Sequence, residues 1–167
     1  ALAPVLVLLL MNVLPSSVKA MIVYWKPLGV LPGCEAFSRH GPTDPRVNMA
    51  QLKKNVGALP SDTQEQNSKW YKLYKMVESR SEVANAQKDF LMYRDMAALS
   101  LPLMVLGPIG MQIAGGDRSG VWGTVAFFLA QYLVTAISAR HAGVRFVCNV
   151  LAIHSASKIT TAKTTTS

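Results

Sequence analysis

The run AALSLPLMVLGPIGMQIA at 97–114, the polar step GGDRSG at 115–120 and the run VWGTVAFFLAQYLVTAISA at 121–139 decide how the rest of the chain is read. Neither apolar run contains a charged residue, and they hold 18 and 19 residues. At a rise of about 1.5 Å per residue, helices of that length approach the ~30 Å hydrocarbon core of a bilayer. The pair predicts a membrane hairpin closed by a tight turn, with a buried soluble hairpin as the competing arrangement.

Composition points the same way. Of 167 residues, 50% are apolar and 16% charged, where an average soluble domain carries about 25% charged residues. This argues against disorder and against an ordinary soluble enzyme. Seventeen Lys and Arg against nine Asp and Glu leave a net charge of +8. Such an excess suits a nucleic-acid binder, but in a membrane protein it marks the cytoplasmic side and meets anionic lipid headgroups. The second reading is preferred, so membrane lipid is an expected partner and nucleic acid is not.

Upstream of the hairpin, residues 61–101 contain neither Pro nor Gly and open on capping-box spacings, Ser61 with Gln64 and Asp62 with Glu65. Apolar pairs recur one heptad apart at Met76/Val77, Val83/Ala84 and Phe90/Leu91, with Trp70 and Leu73 leading in. The pattern predicts one long amphipathic helix over 61–96 whose seam, Trp70, Leu73, Val77, Ala84 and Leu91, packs on the same chain or on a partner. Residues 27–60, with prolines at 27, 32, 42, 45 and 60, read as a loop with one short helix near 48–56. Residues 1–26 are apolar apart from a short step at 16–19, and read as a further span kinked at Pro15 and anchored by Tyr24, Trp25 and Lys26. A secretory signal peptide is the alternative, though PSSVKA is a poor cleavage site.

Beyond the hairpin, 140–157 predicts a cytoplasmic helix and 158–167 a disordered tail. Six cations between Lys69 and Arg94 and four after Ala139, against a turn holding only Arg118 and Asp117, place the long helix and the tail inside. The expected fold is thus all-α: an integral membrane protein with about three transmembrane helices and a long cytoplasmic amphipathic helix, N-terminus out and C-terminus in. Cys34 and Cys148 then face the cytoplasm as free thiols.

Catalytic signals are poor: the sequence holds no Gly-rich phosphate loop, no G-x-S-x-G, no H-E-x-x-H and no C-x-x-C. His141, Cys148 and His154 are seven and six residues apart, off the i, i+3 or i+4 spacing that converges on a metal. No enzyme activity, cofactor or metal site is expected. The polar residues within the spans are more informative, because each needs a partner away from water. Thr124, Gln131 and Thr135 can share one face, and Gln112 lies toward the outer end of the preceding span. They read as interhelical hydrogen-bonding groups or as the lining of an oligomeric pore. Ala126 with Ala130, and Gly107 with Gly110, supply small side chains for close helix approach.

From Ser61 to Ser157 the order of helix, two-span hairpin and second helix resembles the SLATT-type membrane effectors of bacterial conflict systems. That resemblance implies a bacterial inner-membrane location and an oligomeric pore opened by a partner's signal. From the residues themselves, the preferred function is a non-catalytic membrane subunit or scaffold of a secretion- or conjugation-like assembly, docking a protein partner through its basic helix. The alternative is a homo-oligomeric channel or pore-forming effector.

Overall fold

A computed structural model describes residues 14–27 and 29–157, and every regular element among them is helical. Residues 1–13, half of the predicted 1–26 span, and the whole 158–167 tail lie outside the described residues.

Five helices organise the chain. They are α1 (Ser16–Tyr24), α2 (Met49–Val56), α3 (Thr63–Val77), α4 (Ser81–Ile113) and α5 (Arg118–Ala156). Between α1 and α2, residues 32–43 coil through a 3-10 turn (Pro32–Glu35), a wider π-type turn (Ala36–His40) and a closing α turn (Gly41–Thr43).

The hairpin of α4 and α5 is the spine of the molecule. Asp117 starts α5 by accepting from Gly120 N at 3.0 Å, and Gly115, at φ 79°, closes α4 by turning left-handed. The connection is shorter than the sequence suggests, because the last residues of GGDRSG already belong to α5.

Three boundaries differ from expectation, among them the one at 96–97, which α4 crosses without a break. The predicted helix over 61–96 is two helices: Arg80 adopts an extended conformation (φ −68°, ψ 130°) and the chain turns between α3 and α4. Conversely, the boundary expected at Arg140 does not exist, and α5 runs unbroken from Arg118 to Ala156. Polarity changes at Arg140, but backbone hydrogen bonding in a helix is indifferent to whether its side chains meet an apolar or a polar surrounding.

Each long helix consequently has two regimes. In the lower half, residues 81–96 of α4 and 140–156 of α5 pack with α2 and α3 into a head. Trp70 of α3 meets Phe146 of α5 edge to face at 5.1 Å between ring centroids, and Tyr74 meets the same ring at 5.2 Å. Val83, Phe90, Val147, Val150 and Leu151 complete this core, with Leu52 from α2. The buried Gln66 pins the 32–43 coil onto α3: its Oε1 accepts from Phe37 N (3.0 Å) and Ser38 N (3.1 Å), while its Nε2 donates to Ser61 O.

In the upper half no other described element packs against the hairpin. Its large apolar residues point outward: Val105 is 58% exposed, Trp122 63%, Phe127 63% and Val134 64%. Both α4 and α5 are long and apolar enough to cross a membrane, and only 17% and 11% of their most apolar windows are buried. A core helix of a soluble domain would bury most of such a window.

Small residues let the two helices approach. Ala97 and Ala98 of α4 and Ala136 and Ala139 of α5 are all buried, and Gly107 lies under the Phe128 ring, where a Cβ would stand 2.7 Å from Cε2. Ala126 and Ala130 are on the outer face instead, while Thr124 and Phe128 face Gly107 of α4. Pro102 and Pro108 sit within α4 without ending it.

A candidate site where the hairpin enters the head

The point at which the uncharged run ends, at Ala139, is also where α1 docks. Val23 of α1 packs against Ala97, Ala136 and Ala139. Since Trp25 ends α1 in a left-handed conformation (φ 55°), the carbonyls of that last turn need outside donors. Arg140 Nε donates to Val23 O at 2.6 Å and Tyr132 Oη to Ile22 O at 2.8 Å. Trp25 Nε1 in turn donates to Tyr132 Oη at 2.6 Å, and its indole face receives the Arg140 guanidinium. On the other side, buried Lys19 reaches Asp95 at 3.4 Å, a carboxylate that also takes Arg94 at 2.8 Å.

Below this junction lies a cavity of about 210 Å³ between the end of α1, the 32–43 coil and α5. Its polar lining is Tyr24, Lys26, Glu35, Arg39, His40 and Arg140. Glu35 bridges two of the cations, accepting from Lys26 Nζ at 2.6 Å and Arg39 Nη1 at 3.0 Å. The hydrogen bond from Lys26 is the main reason the Glu35 carboxyl is held below its ordinary range. Burial pushes the His40 imidazole below its ordinary value, against the opposing pull of Glu35. Tyr24 Oη and Arg140 Nη2 are buried and find no hydrogen-bond partner among the described residues.

The residues singled out from the sequence fall elsewhere. Trp70, Leu73 and Val77 of the seam are buried in the head core, Leu91 is half-buried against it, and Ala84 is exposed. The seam is therefore split between two helices, and its α3 part is occupied by α5 of the same chain. In the upper hairpin, Thr124 bonds its own helix at Gly120 O (2.9 Å) and Thr135 bonds Gln131 O (2.7 Å). Thr135 is buried, Thr124 packs near Gly107, Gln131 is half-buried, and Gln112 is exposed near the turn. The polar face Thr124, Gln131, Thr135 thus lies along the interior of the hairpin, and the outward face is apolar.

His141 is exposed, and His154 Nε2 lies 2.9 Å from Leu73 O. Cys34 and Cys148 are free thiols, both buried. No group of His, Cys, Asp and Glu among the described residues could hold a metal.

The cavity cluster was missed from sequence because its members come from three separated segments, 24–26, 35–40 and 140. The available signals were Tyr24, Trp25 and Lys26 as interfacial anchors and Arg140 as the first charge after the hairpin. No family model, curated protein or solved structure matches the chain.

Proposed function

We propose that the chain is a non-catalytic membrane subunit in which the α4–α5 hairpin spans the bilayer and holds a basic helical head at its cytoplasmic face to dock a protein partner. The observation that carries this reading is the outward apolar band of the upper hairpin, continuous through the same two helices with a packed lower head. A helix pair exposing so much apolar surface is costly in water and is at rest in lipid.

Cation placement supports the orientation. Lys53, Lys54, Lys72, Lys75, Arg80 and Lys88 are exposed on the head, whereas the turn carries Arg118 beside Asp117. The positive-inside rule favours the head in the cytoplasm and the turn outside, and the SLATT resemblance implies that the membrane is a bacterial inner membrane. The descent of α1 from Lys19 beside Asp95 to Tyr24 beside Gly143 supports a third crossing, with the N-terminus outside.

With Trp70, Leu73 and Val77 taken up by the head core, the docking surface is the opposite face of α3. There Met76 is 72% and Tyr71 51% exposed, next to Lys72 and Lys75. Its charge suits an acidic partner surface, with Tyr71 and Met76 as apolar anchors.

The test is topology followed by docking. Single cysteines replacing Ser79 in the head and Ser119 at the turn should be labelled by an impermeant maleimide from the inside and the outside respectively, and the protein should resist alkaline extraction. Labelling of both from one side would end the spanning reading. The double change Lys72→Glu and Lys75→Glu should abolish site-specific photocrosslinking from position 71 to its partner in cells. Ion flux through liposomes holding the purified protein alone would favour the pore that the SLATT resemblance implies.

A further inference from the structure

The cavity beneath α1 has the chemistry of an anion site. Lys26, Arg39 and Arg140 contribute three positive charges against the single carboxylate of Glu35, which leaves the lining two charges positive with His40 neutral. Glu35 uses only some of the donors on Lys26 and Arg39 and fixes where both point. Arg140 Nη2 and Tyr24 Oη are buried donors with no acceptor among the described residues, a costly state that a multi-oxygen anion would relieve. The remaining walls, Val30, Leu31, Pro32 and Val144, are apolar.

Placement narrows the ligand further. Arg140 immediately follows the uncharged run of α5, so the cavity opens at the level where the apolar band gives way to charge. Met21, Trp25 and Ile137 are exposed nearby at 38%, 56% and 49%. An anion seated at Arg140 could therefore carry a hydrocarbon tail upward along the hairpin.

We propose that this cavity binds a phosphate ester through Arg140, Arg39, Lys26 and Tyr24. Two sources share that chemistry, the phosphodiester headgroup of an anionic lipid and a soluble phosphate monoester. The lipid source rests on the membrane reading above; the phosphate site itself does not.

The experiment uses the full chain in a neutral detergent. Native mass spectrometry compares retention of phosphatidylglycerol and phosphatidylcholine, and calorimetry measures binding of glycerol 3-phosphate. Wild type should retain phosphatidylglycerol over phosphatidylcholine, and Arg140→Gln and Arg39→Gln should each weaken it about tenfold. Glu35→Gln, which frees Lys26 and Arg39, should tighten binding. Because Arg140 also holds α1, circular dichroism and a melting curve accompany each variant, and Arg39, whose side chain is 67% exposed, carries the test if Arg140→Gln does not fold.

The control Lys72→Gln with Lys75→Gln removes two head cations away from the cavity and should change nothing. Equal weakening in that control, or unchanged binding in Arg39→Gln, overturns the site, as does failure of wild type to bind either phosphate compound. Tight binding of glycerol 3-phosphate without preference for phosphatidylglycerol supports the site and assigns it to a soluble ester. Alkaline extraction reads the membrane proposal independently, so the two can fail separately.

Discussion

The Arg140 guanidinium carbon lies 3.8 Å from the centroid of the Trp25 ring, and Arg140 Nε bonds the carbonyl two residues before that tryptophan. One side chain of α5 thereby holds both the last turn and the last ring of α1. Trp25→Ala removes the stacking surface and the Tyr132 bond and should cost about 1–2 kcal/mol. Amide exchange over 16–24 should rise while exchange in α3 stays slow; an unchanged α1 would show that Val23 packing suffices.

Trp70 is the centre of the head. Trp70→Ala leaves a cavity beside Phe146 and Tyr74 and should destabilise by about 3–5 kcal/mol, whereas Ala84→Glu, on an exposed turn of α4, should stay within about 0.5 kcal/mol. Denaturant midpoints of the two variants would discriminate a head-core position from a surface one. Equal effects would mean that the old seam is one surface after all.

Gly143 is spaced for absence of a side chain. A Cβ there would meet the Tyr24 hydroxyl, and would stand 3.1 Å from Pro32 Cγ and 3.2 Å from Phe90 Cδ2. Gly143→Ala should therefore displace Tyr24 and destabilise by about 1–3 kcal/mol despite improved helix propensity. A rise in melting temperature would contradict that packing.

Acid should loosen the 44–46 segment. Arg46 hydrogen bonds hold the Asp44 carboxyl down at about 2, from an ordinary 3.8. A group whose folded value is depressed contributes stability that is present above the unfolded value and is lost as pH falls through the folded one. The loss should therefore occur between pH about 4 and about 2, and Asp44→Asn should flatten that part of the stability curve, read by chemical denaturation across pH.

The thiols should be silent in the folded protein. Cys148 is 2% exposed and burial pushes its thiol up to about 12, and Cys34 is 7% exposed and also raised by burial. Maleimide should label neither until denaturant is added, which leaves the background clear for cysteines placed at 79 and 119.

What could be read in advance depended on whether the signal was local. The two apolar runs were legible because an uncharged stretch of that length has few alternatives, and the Asp62 cap because its carboxylate bonds the backbone two and three residues on. The turn at 78–80 was not, since Glu78, Ser79 and Arg80 break no helix by propensity. Heptad pairing even survives the turn, but in two of the three pairs only one residue is inward: Val77 is buried while Met76 is exposed, and Val83 is buried while Ala84 is exposed. The cavity was illegible for the converse reason, being assembled from three segments, 24–26, 35–40 and 140, that no local pattern connects.

The two arms of the hairpin differ in stiffness. Across 39 residues α5 contains no proline, while α4 carries Pro102 and Pro108, both above its junction with the head. Each proline deletes one backbone bond and lowers resistance to bending. Lateral strain on the upper hairpin would thus be absorbed in α4 and transmitted by α5, which acts as a rod from the outer turn down to Trp70's partner Phe146. Arg140 and its cavity sit on the rod rather than on the compliant arm, so whatever occupies that cavity rides with the head.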